Sequence, residues 1–472
     1  MSIAYYNSLT RSKQPFEPIE PGVVRLYSCG PTVHDFAHLG NFRAFVFVDL
    51  LKRHLLLRGF TVKHLMNLTD VGHMTTDADE GEDKIGKSAR ERGISVWDVV
   101  KLFSEAFFED ARSLRLLPAD LYPRATDHVP DMIRLIERIL QRGFAYVSNG
   151  SVYFDLQKFP AYGRLSGNTL ANLMEGARVQ PNPEKRCPHD FALWKAAPTS
   201  IMRWESPWSI GVPGWHIECT AMAMRYLGEQ LDIHTGGEDN LFPHHECEIA
   251  QAEAATGRSP YVRTWMHNRH LLVDGTKMSK SLGNFYTLRD LLARGHSPLA
   301  IRYLLLGSHY RMPLNFTLDA LAAAATAVRR FNDFVARLAE APAAGPGPDV
   351  APLCEKAESD FAAALDDDLN SSEALAVVFD FMHQANRLPL TAASAARVRQ
   401  TVTRFDSVLD ILETRKETLD EEVERLIAER QAARKAKDFK RADAIRADLA
   451  ARGILLEDTP QGVRWRRAKT SE

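Results

Sequence analysis

The chain has 472 residues, 59 Lys and Arg against 61 Asp and Glu, a formal charge of −2, and 45% hydrophobic residues. At roughly 100–200 residues per domain that is room for two to four domains, and the near-neutral balance excludes a uniformly basic nucleic-acid wrapper while leaving a local basic patch open. No apolar run approaches the ~18 residues that span a bilayer, the N-terminus lacks a signal-peptide core, and five scattered cysteines suit a reducing cytoplasm better than a disulfide framework.

In chain order, Val23–Ser28 reads as a strand, Cys29–Thr32 as its turn, and Leu39 to Arg58 as a long helix stopped by Gly59. Thr61–Met66 follows as a second strand. This β–α–β order predicts a parallel sheet of Rossmann type in an α/β fold. Residues 230–233 and 261–266 read as later strands of that sheet, with a helix carrying His244 and Glu248 between them. The stretch 122–199 reads as an insertion that opens with a helix over 130–142. Beyond Leu318 the pattern is helical and Ala-rich, interrupted by a Pro- and Gly-rich loop at 341–348. The tail, 419–472, reads as one long charged helix or a helix pair, and ends in the apolar run Ile454–Leu456, a turn at Thr459–Gly462 and the basic run Val463–Arg467.

Chemistry gathers first at Cys29–Asn41, where a strand hands over to a helix. Free N–H groups and the positive dipole end of such a helix favour a phosphate. Gly40 admits a ring or phosphate close to the backbone, and His38 and Asn41 are candidate hydrogen-bond donors to phosphate oxygens. Taken alone, H-x-G-N equally describes a capped helix with a polar first turn. Far downstream, Lys277-Met278-Ser279-Lys280-Ser281 places two lysines three apart among small polar residues, a loop that can bring positive charge onto a polyphosphate. In isolation that loop also reads as a solvated turn.

His38-Leu39-Gly40-Asn41 resembles the H-I-G-H signature, and Lys277–Ser281 matches the K-M-S-K-S loop, of class I aminoacyl-tRNA synthetases. The fourth signature position is Asn41 instead of His. The resemblance implies ATP over Gly40, held by His38 and by Lys277, Met278, Ser279, Lys280 and Ser281. It also implies catalytic roles for His38, Asn41, Lys277 and Lys280, with the lysines stabilising the departing pyrophosphate.

Four further residues bear on the substrate. The i, i+4 spacing places His244 and Glu248 on one helical face, and with Cys29 and Cys219 they make a chemically reasonable Zn²⁺ set. The same residues also read as small core cysteines, a hydrogen-bonded histidine and a solvated carboxylate. The segments Cys29–Val33, Gly214–Cys219, Phe242–Glu246, Asn67–Asp70 and Arg434–Phe439 resemble the cysteinyl-tRNA synthetase family over nearly the whole chain. In that family the residues matching Cys29, Cys219, His244 and Glu248 bind one zinc, and the substrate thiolate becomes an additional ligand. A metal is suited to telling cysteine from serine. A hydrophobic pocket separates near-isosteres by only about 1–3 kcal/mol, whereas Zn²⁺ prefers a soft thiolate to an alcohol. The short insertion agrees with the absence of a separate editing domain.

The resemblance further implies that Trp215 walls the amino-acid pocket, Thr69 places the substrate, Asp239 holds its ammonium, and His234 approaches the reacting end. Cys247 reads as packing or as an exposed thiol, Cys187-Pro188-His189 as a loop, and the acidic stretch Asp77–Lys84 as a solvated loop. From Arg430 to Lys469 there are 12 Lys and Arg against 5 Asp and Glu, a usable phosphate-binding surplus. Trp465 among Arg464, Arg466 and Arg467 combines a stacking plane with cations suited to unstacked bases, while Phe439, Ala442, Ile445 and Leu449 are expected to pack inward.

The family's organisation maps here as a Rossmann-type catalytic domain (1–121 and 200–265), a connective insert (122–199), a K-M-S-K-S and stem-contact region (266–318), a helical bundle (319–418) and an anticodon-binding domain (419–472). The implied partners are L-cysteine, ATP with Mg²⁺, and tRNA(Cys), in a cytoplasmic monomer. A sister ligase of mycothiol synthesis shares adenylation and zinc but lacks the tail. A catalytically silent RNA-binding paralogue fits poorly with intact Lys277, Lys280, Cys29 and Cys219.

Overall fold

The computed structural model describes residues 2–72, 83–176, 182–279, 282–343, 347–413, 421–435, 438–451, 454–459 and 462–467. The chain forms two compact units, residues 1–412 and 413–472. In the first, β1 (Val23–Ser28), α1 (Leu39–Leu57) and β2 (Thr61–Met66) are followed, after the insertion, by α2 (Ile217–Leu227), β3 (Leu231–Gly237), α3 (Glu246–Thr256) and β4 (Val262–Asn268). The four strands make one parallel sheet in the order β4-β3-β1-β2. Strand order therefore reverses between β1 and β3. In such sheets that point opens a crevice beyond the strands' C-terminal ends.

The sheet is covered on both faces, which is why β3 is buried over Leu231–Gly236 instead of alternating. Likewise α1 is buried on nearly every side, from Leu39 and Phe42 through Leu51 to Leu55. A helix buried all round loses the single apolar stripe of a surface helix. Its first turn is fixed by a capping box: Asn41 N–H donates to His38 Nδ1 at 3.2 Å, and His38 N–H donates to Asn41 Oδ1 at 3.0 Å. Gly59, at φ +86°, ends the helix where a side chain would be strained.

The insertion builds its own antiparallel sheet from Ala145–Ser148, Ser151–Phe154 and Phe191–Ala196, to which Gly211–Pro213, beyond the expected boundary at 199, adds a fourth strand. Its core of Phe154, Leu193 and Trp194 is continuous with Ile217 of α2 and Ala250 of α3. After β4 comes a three-stranded sheet of Leu271–Val273, Thr276–Lys277 and Leu314–Phe316. Four helices then follow, Leu318–Ala339, Ala351–Asp366, Ser371–Ala385 and Ala392–Leu409. Their core residues Phe331, Phe361, Phe381 and Phe405 belong to the same cluster as Phe42 and Leu51 of α1.

The second unit holds helices Glu421–Lys435 and Phe439–Ala451 and an antiparallel hairpin, Ile454–Thr459 with Gly462–Arg467. Ala442, Ile445 and Leu449 are buried, but Phe439 is 60% exposed. Phe439 is the first residue of its helix, so the inward stripe begins one turn later than its spacing suggests.

One helix expectation needs correction. His244 is not on the helix that carries Glu248: it lies in a wide turn, Leu241–His245, and α3 starts at Glu246. Pro243 constrains the residue before it to extended backbone, and Phe242 is extended, at φ −141° and ψ 133°.

Candidate metal and nucleotide site

The crevice predicted by the strand order is lined by the expected residues. Cys29 follows the last residue of β1, and its N–H donates to Thr235 O of β3 at 3.2 Å. Gly30 crosses so close to Asn67 that a Cβ there would lie 1.7 Å from Asn67 O, so only glycine fits. The resulting cleft, about 580 Å³, is bounded among others by Cys29, His38, Gly40, Asp239, Lys277 and Met278.

At one end, Cys29 Sγ, Cys219 Sγ, a ring nitrogen of His244 and a carboxylate oxygen of Glu248 all lie within 4.8 Å of one another. Cys219 comes from the first turn of α2 and Glu248 from the first turn of α3. Buried acids are rare unless paired, yet Glu248 is fully buried, with Oε1 3.1 Å from His244 Nε2 and Oε2 3.1 Å from His234 Nε2. Oε1 thus meets His244 as an ion pair, without a well-aligned hydrogen bond.

These groups perturb one another. The bond from Cys219 favours the Cys29 thiolate, but burial and the carboxylates of Glu248 and Asp239 outweigh it and push the thiol up. The bond to Cys29 and burial push Cys219 well above the usual thiol range. Burial opposes charge on His244, but Cys219 and Glu248 raise it to about 10. Burial also opposes the Glu248 carboxylate, but His234 and His244 hold it at about 2. Thiols, imidazole and carboxylate thus compete for protons in one small volume, and a divalent cation would take the place of those protons. Two sulfurs, one nitrogen and one oxygen, buried and convergent, fit zinc.

A second set, Cys29, His234, His245 and Glu248, also converges within 4.8 Å. It has one sulfur instead of two; His245 offers Nε2, 3.3 Å from Cys29 Sγ, while its Nδ1 lies 2.7 Å from His267 Nε2. Burial and the surrounding imidazoles hold His245 neutral, well below the usual histidine range. The first set is the more thiophilic of the two.

Around the first set, Trp215 stacks on the His244 ring at 4.9 Å and 28°. Thr69 is buried, accepts from Asn67 Nδ2 at 2.9 Å, and donates to Glu218 at 3.4 Å. Asp239 is exposed at the cleft. His234 is fully buried beside Glu248, with its ring between Tyr27 and Trp265. Cys247 is a packing residue, 3.4 Å from Tyr162 Oη.

At the other end, Gly40 lies under His38 and Met278: a Cβ would meet His38 Cε1 at 2.9 Å and Met278 Cε at 3.6 Å. The His38 ring meets Phe285 edge-on at 5.5 Å. Lys277 ends the short return strand Thr276–Lys277 after a turn in which Asp274 and Gly275 both have positive φ, the two-residue hairpin that Asp-Gly favours. Asn284, which no site expectation singled out, closes the base of this loop: its Oδ1 accepts from Ser279 N–H at 2.8 Å and its Nδ2 donates to Thr276 Oγ1 and Lys277 O. Lys280 and Ser281 lie outside the described residues, as does most of the acidic stretch 77–84. Arg464, Trp465, Arg466 and Arg467 form a hairpin strand whose side chains also lie outside the description.

Among the described residues, no helix is long and apolar enough to cross a membrane. Residues 15–326 match the family model of the class I (C) tRNA synthetase catalytic domain. Residues 360–413 match the DALR domain, and 416–466 match the cysteinyl-tRNA ligase anticodon binding domain. The chain is 46% identical to a cysteine–tRNA ligase of Symbiobacterium thermophilum, over 99% of this chain and 100% of that one. It is also 46% identical to one of Thermus thermophilus, over 99% of each. The fold is similar to Mycobacterium tuberculosis methionyl-tRNA synthetase in complex with methionyl-adenylate, with a TM-score of 0.59, 17% identity, and coverage of 82% of this chain and 90% of that one.

Proposed function

The chain belongs to the cysteine–tRNA ligase family of class I synthetases, and from that premise we propose that Cys29, Cys219, His244 and Glu248 hold one zinc with which the enzyme selects cysteine, while His38, Gly40, Asn41 and Lys277 serve ATP across the same cleft. The observation that carries this reading is the convergence of four donors from separate segments at the end of a cleft that also holds the lysine loop. Bound there, zinc supplies a soft Lewis acid that prefers the substrate's thiolate to the hydroxyl of serine.

The protein's own groups do the rest by position and charge. Asp239, exposed just past the C-terminal end of β3, receives the ammonium of the amino acid. The substrate carboxylate then attacks the α-phosphate of ATP, forming cysteinyl-adenylate and releasing pyrophosphate. Negative charge moving onto the leaving pyrophosphate meets the N-terminal dipole of α1, His38 and Lys277, with Lys280 in the same role. Mg²⁺ accompanies ATP. A terminal ribose hydroxyl of tRNA(Cys) next attacks the acyl carbon and expels AMP. We assign RNA contact in the tail to the hairpin strand carrying Arg464, Trp465, Arg466 and Arg467, on the strength of its basic charge and its aromatic residue.

Metal analysis together with ATP–pyrophosphate exchange tests the reading. The intact protein is expected to carry about one zinc and to exchange with cysteine but not with serine. Cys219→Ser should lose zinc and exchange together, the exchange by about 100-fold or more. Normal cysteine-dependent exchange without zinc would refute it.

A further inference from the structure

Arg43 is 2% exposed, and among the described residues its guanidinium pairs with no carboxylate. Its bonds all go to backbone carbonyls: Nε donates to Arg269 O at 3.0 Å, and Nη2 donates to His309 O at 3.2 Å and to Met312 O at 2.5 Å. Burial pulls its pKa down to about 10, partly offset by the nearby Glu238 carboxylate. A buried cation without an ion partner is costly, so its place needs a reason other than packing.

The three carbonyls locate that reason. Arg269 stands two residues before the strand Leu271–Val273, and Met312 two residues before the strand Leu314–Phe316, which pairs parallel with it. Arg43 thus holds the starts of two neighbouring strands against the first turns of α1. The lysine-bearing strand Thr276–Lys277 hangs on the first of them, through Leu272↔Lys277 and Val273↔Thr276. The far side of the lysine loop returns to the same helix start, where Leu39 N–H donates to Tyr286 O at 3.0 Å. Glu238 reinforces the near side from just past β3: it accepts from Arg269 Nη1 at 2.7 Å and from His270 N–H at 2.8 Å.

We propose that Arg43 is a positioning residue for adenylate formation: by gripping Arg269, His309 and Met312 it sets the lysine hairpin against the nucleotide-binding start of α1. The inference rests on the adenylation reading above. Lysine charge aimed at the leaving pyrophosphate acts in the transition state more than in the ground state, so misplacing it lowers kcat and spares KM.

The test uses full-length protein and cysteine-dependent pyrophosphate exchange. Arg43→Lys keeps the charge but cannot span three carbonyls. It should lower kcat on the order of 10–100-fold, with KM for ATP within about twofold and zinc content unchanged. Because Arg43 acts through Lys277, the double variant Arg43→Lys/Lys277→Ala should lose no more than about twofold beyond Lys277→Ala alone. Should Arg43→Lys fail to fold, Glu238→Ala, at a partly exposed position, carries the same expectation of non-additive loss with Lys277→Ala. Losses that multiply in the double variant, or a rise in KM for ATP with kcat intact, would overturn the inference and leave the functional reading standing. Absence of cysteine-dependent exchange in the unaltered protein would overturn both.

Discussion

His216 Nδ1 lies 2.9 Å from His244 Nδ1, inside the wall of the candidate metal site. For His244 to offer its Nε2 lone pair to a metal, its proton must sit on Nδ1, and His216 Nδ1 is the acceptor that keeps it there. Partners of this kind fix the ligand's tautomer and ring orientation. His216→Ala is therefore expected to weaken zinc binding about 10–100-fold, measured by competition with a chelator of known affinity. Unchanged affinity would show that the contact is packing alone.

Arg302 is fully buried and ties α1 to two other segments. Its Nη2 donates to Asp49 Oδ2 at 2.5 Å, Nε to Leu409 O at 2.7 Å and Nη1 to Leu114 O at 3.0 Å. Removing one side of such a network strands buried acceptors. Arg302→Met should destabilise residues 1–412 by about 3–5 kcal/mol in denaturant unfolding followed by circular dichroism. A loss under about 1 kcal/mol would mean that Arg53, which also donates to Asp49 at 2.9 Å, suffices alone.

His64 is buried beside Ser28, with its Nε2 2.8 Å from Ser28 Oγ. Burial, aided by Lys52, lowers its pKa to about 3. The unfolded histidine binds a proton near pH 6.5, so below that value the unfolded state holds one proton more than the folded state. The stability contributed is complete above pH 6.5 and is lost as pH falls toward 3, at up to about 1.4 kcal/mol per pH unit. Melts between pH 7 and 4 should show a shallower decline for His64→Gln than for the unaltered protein. Parallel declines would contradict the assignment.

The compact second unit, residues 413–472, gives a division of labour that truncation can read. Ending the chain at Glu413 keeps Leu412 O, to which Arg115 donates at 2.7 Å. Pyrophosphate exchange should stay within about twofold, while tRNA charging falls by an order of magnitude or more, since phosphate contacts supply much of RNA affinity. Equal losses in both assays would make the tail a structural element only.

Much of this arrangement was legible in the chain itself. The β–α–β order, the Leu39 start of α1 and the Gly59 stop follow from periodicity and caps, and the helix does run Leu39–Leu57 with Gly59 in the left-handed region. The four candidate zinc ligands were legible as residue types but not as a cluster. Cys29 and Cys219 are far apart in sequence, and it is the packing of α2 beside β1, where Cys219 shares a buried cluster with Tyr27, that brings them together. The i, i+4 spacing of His244 and Glu248 did bring their side chains within 3.1 Å, although Pro243 opens a wide turn before α3 that the spacing does not show. The burial of His234 was not legible because position along β3 does not reveal that the strand is covered on both faces. Arg43 carried no signal: an arginine in a helical run reads as solvated, and its three carbonyl partners lie more than 200 residues away.

Zinc K-edge X-ray absorption, recorded on the purified protein before and after addition of cysteine or serine, bears most directly on how the substrate is chosen. Zinc with two sulfur neighbours, rising to three with cysteine and staying at two with serine, is the predicted result, the first two being Cys29 and Cys219. A sulfur count that does not rise with cysteine, or that rises equally with both amino acids, would contradict it.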